Sequence, residues 1–187
     1  VKDIRQKIRS AYWGPPMRKT SPQKALTVNM GTYTNVESIN FQNNALSPST
    51  VVGRVQDRKS NKIQSVQANS SDRQNLSQKP ALNNRKLLRK TQFRETGRQA
   101  LQAGSKAQAM VDSSTNEVLQ VTGKLNTIRY GDLLELRGVV GLRGVGQTYD
   151  GLYYVKSVTH TLKKGEYQQS FTIVREGLGT TKRVLKV

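Results

Sequence analysis

The chain contains a single histidine, His160, so any catalysis that needs an imidazole base has to use this residue. In a serine hydrolase the base lies beside the nucleophile and is oriented by a carboxylate. His160 falls in a run rich in valine, threonine and tyrosine, which is typical of a β-strand, and no recognisable nucleophile motif is nearby. We therefore interpret it as a histidine packed within a strand or lying on an edge strand.

Two pairs of carboxylates have the chemistry of a glycosidase acid and base: Asp132 with Glu135, and Asp150 with Glu166. Nothing in their spacing distinguishes either pair from chance, and Asp150 followed by Gly151 is better interpreted as a turn. The 12 acidic residues are scattered without a metal-binding motif, and the chain has no cysteine for thiolate ligands or disulfides. We predict that the protein is not an enzyme and has no catalytic residue, metal site, cofactor or small-molecule substrate.

Glycines are concentrated between Gly138 and Gly146, where they alternate with valine, leucine and arginine. Their order matches neither the GxGxxG of dinucleotide-binding sites nor the GxxxxGK[ST] of phosphate-binding loops. Glycine within strands permits bends and close approach of neighbouring backbones. This segment therefore predicts bent strands in a curved sheet or barrel.

A β-hairpin is the clearest element of secondary structure. Leu152–Leu162 and Tyr167–Arg175 are rich in strand-forming residues, and Gly165 between them can adopt the positive φ that a tight connection requires. Apolar and polar residues alternate along the second strand, with Gln169 as the exception. The pattern predicts a hairpin with one face exposed to water.

The other predicted elements are shorter. They are, in chain order, a helix at 1–11, β-runs at 25–28, 36–39 and 50–55, a loop or edge strand at 40–44, a helix at 91–111 that the polar run 112–116 ends, and a return to strand at 117–122. Residues 57–80 are too polar to assemble a core. We predict three regions: a small α+β region at 1–56, a basic polar linker or exposed loop at 57–90, and a helix followed by barrel strands at 91–187.

The formal net charge is +19, and it is unevenly distributed. Residues 1–106 hold 20 Lys and Arg against five acids, a net +15, whereas residues 107–187 hold 11 against seven, a net +4. Basic regions suggest nucleic acid as a partner, but Phe93 is the only aromatic residue in 42–106, so stacking platforms are lacking. We interpret the charge as a solvated surface or one that faces an acidic neighbouring subunit. Trp13, the sole tryptophan, is interpreted as a packing anchor, and no apolar run suggests a membrane anchor.

Several short motifs follow one another in the C-terminal half of the chain. They are Tyr130-Gly131, Arg143-Gly144-Val145-Gly146, Tyr149-Asp150-Gly151, Tyr153-Tyr154-Val155, Val158-Thr159-His160 and the run from Tyr167 to Gly179. In this order they resemble the C-terminal region of the baseplate hub proteins of contractile injection machines, namely the phage late control protein D family and the hub half of the secretion spike protein VgrG. Residues 21–62 resemble the middle region of the same family more loosely.

The resemblance implies a mainly β fold with minor α, with a tail-tube-like β-barrel at the C-terminal end and a smaller α+β region. Residues 117–179 would belong to the second of two barrels, and 182–187 would lead toward the spike. It implies a structural hub subunit that forms a homotrimeric, pseudo-sixfold ring joining the tail tube to the central spike. Its partners would be the spike protein, the tail tube protein and other baseplate subunits.

The particle would be a phage tail, a tailocin, an extracellular injection system or a type VI-like machine, assembled in the bacterial cytoplasm. Hubs of this family are usually longer, and this chain begins with Val1. We therefore expect it to be a fragment of a larger hub.

Two other classes of function stay open. A basic nucleic-acid-binding module, such as a ribosome-associated one, would explain the charge but would leave the ordered motifs as coincidence. A spike-associated hydrolase such as a muramidase is the weaker alternative, because the sequence offers no convincing acid and base pair.

Overall fold

The computed structural model describes residues 14, 18, 21–84 and 87–181. The elements are β1 (Gln23–Thr27), a 3-10 turn (Gly31–Tyr33), β2 (Val36–Asn43), β3 (Ser49–Gln56), β4 (Ile63–Ala68), β5 (Lys79–Pro80), β6 (Arg89–Phe93), α1 (Ala100–Asn116), β7 (Leu119–Asn126), α2 (Thr127–Tyr130), β8 (Val139–Arg143), β9 (Gly151–Lys163), β10 (Glu166–Arg175) and β11 (Gly177–Leu178). The predicted helix at 1–11, Trp13 and residues 182–187 lie outside the described residues. The prediction of a mainly β fold with minor α is confirmed.

The larger sheet has six strands in the order β1-β8-β9-β10-β7-β2. All neighbours are antiparallel except β1 and β8, which run parallel. The sheet curls into a half-barrel around an apolar core. Its buried members are Leu26, Val28, Val36, Leu119, Val121, Leu125, Tyr130, Leu134, Val140, Leu142, Tyr153, Val155, Phe171 and Ile173.

The smaller sheet has three strands in the order β4-β3-β6, and α1 packs against one of its faces. Ala103 and Ala107 of α1 are fully buried, and their small side chains let the helix lie close to this sheet. The core between helix and sheet consists of Val51, Val55, Val66, Ala68, Leu82, Phe93, Ala103, Ala107 and Val111. Strands β5 and β11 form a separate antiparallel pair.

The predicted hairpin is confirmed, with Lys163 paired to Glu166 and Gly165 at a φ of +80°. The β-runs at 25–28, 36–39 and 50–55 correspond to β1, β2 and β3, and residues 40–43 belong to β2 at the edge of the larger sheet. Glycine also permits a close approach after β8, because a Cβ on Gly144 would lie 1.9 Å from the Val28 carbonyl oxygen. This agrees with the expectation that glycines in this segment let neighbouring backbones approach closely.

The predicted bounds of the long helix are wrong. Residues 91–93 belong to β6, because they pair with β3 and place Phe93 in the core. The polar run at 112–116 continues the helix instead of ending it. Asp112 accepts a hydrogen bond from Ser71 Oγ at 2.8 Å, and Thr115 Oγ1 donates to the Asp112 carbonyl at 3.0 Å. These contacts satisfy polar side chains that would otherwise favour a break.

The interpretation of 57–90 as a linker or exposed loop is also corrected. Residues 63–68 form β4, which pairs with β3, and Leu76 is buried. The segment is ordered by hydrogen bonds to β3, and Val66 and Ala68 contribute to the core beneath α1. The smaller sheet therefore draws its strands from across the predicted boundaries at 56 and 90. How the chain divides into domains stays a prediction.

Candidate assembly site at the seam of the half-barrel

The two edge strands of the larger sheet, β1 and β2, come together at Asn35. Its side-chain Oδ1 accepts from the Thr27 amide at 2.8 Å, and its Nδ2 donates to the Ala25 carbonyl at 3.0 Å. Its own amide donates to the Thr27 carbonyl at 3.2 Å, and its carbonyl accepts from the Asn126 amide at 2.9 Å. A side-chain amide presents a donor and an acceptor like those of a backbone peptide. Asn35 therefore joins the two edges at one end, and we call this boundary between β1 and β2 the seam.

Tyr130 protects the edge of β1 below Asn35. Its hydroxyl donates to the Lys24 carbonyl at 2.8 Å, while the Lys24 ammonium donates to the Tyr130 carbonyl. Burial, assisted by the negative charge of Asp132, raises the pKa of Tyr130 to about 12. The phenol therefore stays protonated and keeps this hydrogen bond at neutral pH.

The outer edge of β2 has no strand partner among the described residues. β2 pairs only with β7, so alternate backbone groups between Glu37 and Asn43 point away from the sheet. An edge of eight residues without a partner is a template for pairing with another chain. The half-barrel is thus closed at Asn35 and open along the rest of β2.

A buried arginine holds the loop that covers the core near this open edge. Arg175, at the end of β10, donates from Nε to the Gly177 carbonyl at 2.9 Å and from Nη2 to the Thr148 carbonyl at 3.0 Å. Its Nη1 donates to the carbonyls of Asp150 at 3.1 Å and Gly179 at 3.4 Å. The guanidinium also stacks on the Tyr153 ring, 4.4 Å from its centroid. Burial lowers the pKa of Arg175, but four carbonyl dipoles and the ring face stabilise the cation.

The loop at 144–150 reaches from β8 to β2. Tyr149 packs on Phe41 of β2, with the ring centroids 4.6 Å apart, and Asp150 Oδ1 accepts from the Val145 amide at 2.9 Å. Because Arg175 fixes the carbonyls on both sides of Tyr149, it positions the ring that covers this end of the core. A cavity of about 380 Å³ lies beside the loop, lined in part by Asn43, Thr148 and Leu178.

A buried ion pair next to Arg175 fastens the segments that connect the two sheets. Arg18 Nη1 donates to Glu176 Oε2 at 2.8 Å, and its Nη2 donates to Asn116 Oδ1 at 3.0 Å. The other Glu176 oxygen accepts from the amide of Ser77 at 2.7 Å and from that of Leu76. Burial lowers the pKa of Arg18, whereas the Glu176 carboxylate opposes this shift. The pair thus links β10, the end of α1 and the segment before β5.

Sequence reasoning missed the whole of this buried network. Arg175 and Glu176 follow an apolar strand and precede Gly177, so they look like polar residues that end a strand. A local signal was available only for Arg175, which directly follows the apolar pair Ile173 and Val174. Their partners lie up to 158 positions away and are mostly backbone carbonyls and amides, which carry no sequence signature.

The residues considered for catalysis are not assembled into a site. His160 lies on β9, as its composition predicted, but it is exposed and its Nδ1 is 2.9 Å from the Tyr167 hydroxyl. Asp150 and Glu166 lie at opposite ends of the β9–β10 hairpin, and Asp150 orders the 144–150 loop. Asp132 accepts a hydrogen bond from the Leu133 amide, and Glu135 is also exposed. Among the described residues there is no cluster of acids and histidine suited to a metal ion, and no described helix is long and apolar enough to span a membrane.

The fold is similar to that of two solved tail proteins. The chain is similar to the 43 kDa tail protein of prophage MuSo2 from Shewanella oneidensis, with a TM-score of 0.54 and 10% identity over 85% of this chain and 44% of that one. It is also similar to a tail protein from Neisseria meningitidis MC58, with a TM-score of 0.55 and 15% identity over 86% of this chain and 46% of that one. The chain therefore spans less than half the length of either protein. No protein-family model and no curated protein sequence matches it.

Proposed function

We propose that this protein is a structural subunit of a phage tail or a related injection machine, and specifically part of its baseplate hub. Three copies would form a pseudo-sixfold ring that joins the tail tube to the central spike. The shared fold with two tail proteins supports the general assignment. The ordered motifs from Tyr130 to Gly179 support the hub in particular.

The observation that carries this proposal is that one edge of the half-barrel is covered by side chains and the other is not. β1 is covered by Asn35 and Tyr130, whereas β2 keeps an unpaired edge of eight residues. Long unpaired edges are hazardous in a monomer, because they promote uncontrolled association. In a closed ring the edge would instead pair with, or be covered by, the neighbouring subunit. We therefore assign the seam as the subunit interface.

The proposed role as a ring subunit also accounts for the buried charges beside the seam. Arg175 and the Arg18–Glu176 pair hold segments that are far apart in the chain, and they take no part in any catalytic arrangement of described residues. A ring subunit needs such rigidity because its interface must keep one geometry. The partners would be the spike protein, the tail tube protein and other baseplate subunits, in a particle assembled in the bacterial cytoplasm.

The proposal is tested by measuring the mass of the full-length protein in solution by light scattering, at physiological and at high salt. We expect a trimer that persists at high salt, because contacts made by backbone pairing and apolar surface are little screened. Asn40→Lys with Gln42→Lys on β2 should dissociate it, since charged side chains block edge pairing. Gln120→Lys with Thr122→Lys is the matched control, because these residues lie opposite Gln42 and Asn40 on β7, which is paired on both sides. A protein that stays monomeric with its spike protein added would contradict the proposal.

The uneven charge favours one other function, a module that binds nucleic acid through residues 1–106. That function predicts an affinity for duplex DNA or RNA that falls steeply with salt concentration. A monomer that binds nucleic acid in this way would replace the hub assignment.

A further inference from the structure

The face of the three-stranded sheet that points away from α1 is exposed. Strand residues alternate between two faces, and Val51 and Val55 of β3 point toward α1. Val52, Arg54 and Gln56 point the other way and are exposed, as is Ile63 of β4, which is 75% exposed. We call this surface the outer face. A groove of about 520 Å³ crosses it, lined in part by Val52, Arg54, Lys90 and Gln92.

The outer face carries positive charge that the protein itself does not neutralise. Arg54 lies on β3 and Lys90 on β6, while the Arg94 guanidinium reaches back to Gln92 Oε1 at 3.1 Å. The pairing of Gly53 with Phe93 brings Arg54 and Arg94 to neighbouring positions on adjacent chain segments. Like charges placed side by side in this way are destabilising. Within the described ranges, none of these three cations forms an ion pair.

The carboxylates close to these cations in the sequence already have other partners. Asp57 accepts from the Ala100 amide at the start of α1 and from the amide and hydroxyl of Ser60. Glu95 binds Arg98 and lies within ion-pair distance of Lys106. These contacts stabilise the turn after β3 and the start of α1, and they leave the cations of the outer face available to a partner.

The side chains of the outer face distinguish between kinds of partner. Nucleic-acid surfaces that bind single strands combine cations with aromatic rings, and the described outer face has no ring. It has two exposed aliphatic side chains, Val52 and Ile63, beside the cations. Ile63 pairs with Gln56 whereas Val52 pairs with Gln67, so Arg54 lies between the two aliphatic side chains along the sheet. Aliphatic and cationic side chains mixed on one face suit a protein partner better than a nucleic acid. A second copy of this chain is a poor occupant, because its net charge is also +19.

We propose that the outer face of the β4-β3-β6 sheet docks an acidic protein surface, with carboxylates facing Arg54, Lys90 and Arg94 and with separate aliphatic side chains resting on Val52 and on Ile63. The site is separate from the seam, so one subunit can bind its own copies and a different protein at once. Its three cations belong to the more basic first half of the chain. The inference does not depend on the hub assignment.

The test uses the full chain and a fluorescein-labelled peptide of glutamate and leucine residues, with binding followed by fluorescence anisotropy. Arg54→Glu with Lys90→Glu should weaken binding about tenfold or more, because two attractions become repulsions. Lys163→Glu with Lys164→Glu in the β9–β10 turn makes the same change in net charge away from the outer face and should leave affinity unchanged. Ile63→Ser should also weaken binding, which a purely electrostatic contact would not show. Circular dichroism checks that each variant is folded.

A labelled DNA duplex is measured in parallel. Peptide binding that is lost on charge reversal, retained in the control and stronger than duplex binding supports an acidic protein partner. The proposal is overturned if the peptide does not bind, or if the control variant weakens binding as much as the reversal does. It is equally overturned if the duplex binds more tightly than the peptide and the outer-face reversal abolishes that binding, since nucleic acid would then be the occupant.

Discussion

Replacing Arg175 with methionine should destabilise the protein more than replacing an exposed arginine. The side chain is fully buried and donates to four carbonyls, those of Gly177, Thr148, Asp150 and Gly179. Methionine keeps most of the aliphatic stem, so the change mainly removes hydrogen bonds and leaves carbonyl groups without a donor.

The expected magnitude follows from these contacts. A hydrogen bond to a charged group contributes about 1.5–3 kcal/mol to stability, but contributions within one side chain do not add fully. Removing the guanidinium also removes the cost of burying it, which offsets part of the loss. We expect Arg175→Met to lower the free energy of unfolding by about 3–5 kcal/mol. Arg175→Lys should cost somewhat less, because it keeps the charge but loses the planar fork and the stacking on Tyr153.

Urea unfolding followed by circular dichroism measures this free energy. Arg143→Met on β8 is the matched control, since Arg143 is exposed and its loss should change stability by no more than about 0.5 kcal/mol. Hydrogen exchange gives a second readout, because amides at 144–150 should exchange faster once their carbonyl anchors are lost. If Arg175→Met matched the control in both measurements, the claim that Arg175 holds this loop would be refuted.

Three further predictions concern other parts of the fold. Gly104→Ala on the exposed side of α1 should raise the free energy of unfolding by about 0.5–1 kcal/mol. Gly144→Ala should lower it by more than that, because Gly144 has a φ of +86° and an added Cβ would meet the Val28 carbonyl. Urea unfolding of both variants checks this, and similar effects of the two substitutions would contradict it. Because the pKa of Tyr130 is raised, its contribution to the free energy of unfolding is complete below about pH 10 and is lost as the pH rises toward 12. The loss should be about 2–3 kcal/mol. In Tyr130→Phe, the free energy of unfolding measured against pH should no longer show this fall. Hydrogen bonds from Ser60 and from the Ala100 amide lower the pKa of Asp57, so its contribution is present above about pH 4 and falls as the pH drops through the folded-state pKa. Asp57→Asn should abolish that acid dependence and speed hydrogen exchange at the start of α1, whereas Asp72→Asn, an exposed control, should do neither.

Some of this structure could be predicted because the necessary information is local. The β9–β10 hairpin follows from alternation and from Gly165, and both features belong to neighbouring residues. Even the exception at Gln169 was visible, although its reason was not. Its buried amide accepts from the Leu134 amide at 2.9 Å and donates to the Asp132 carbonyl at 3.1 Å, so a polar residue replaces an apolar one where a loop crosses the core.

Other elements could not be predicted because their stabilising partners are distant in the chain. β4 has a polar composition, and its ladder to β3 supplies the order that its side chains do not. β6 offers a single large apolar residue, Phe93, and it became a strand through parallel pairing with β3. Local patterns of 91–111 resembled one helix, and tertiary pairing divided that segment into a strand and a helix.

Composition and the alternation of neighbouring residues are sufficient to predict the hairpin, the short strands and the excess of basic charge, and the ordered motifs added the mainly β class through their resemblance to a known family. The difference between the sheet edges, with Asn35 joining them and β2 left open, is visible only in the folded structure. The folded structure also shows that Arg175 holds a loop through backbone carbonyls and that the cations of the outer face gather on one surface. Such features depend on contacts between residues far apart in the chain, and these contacts exist only once the chain has folded.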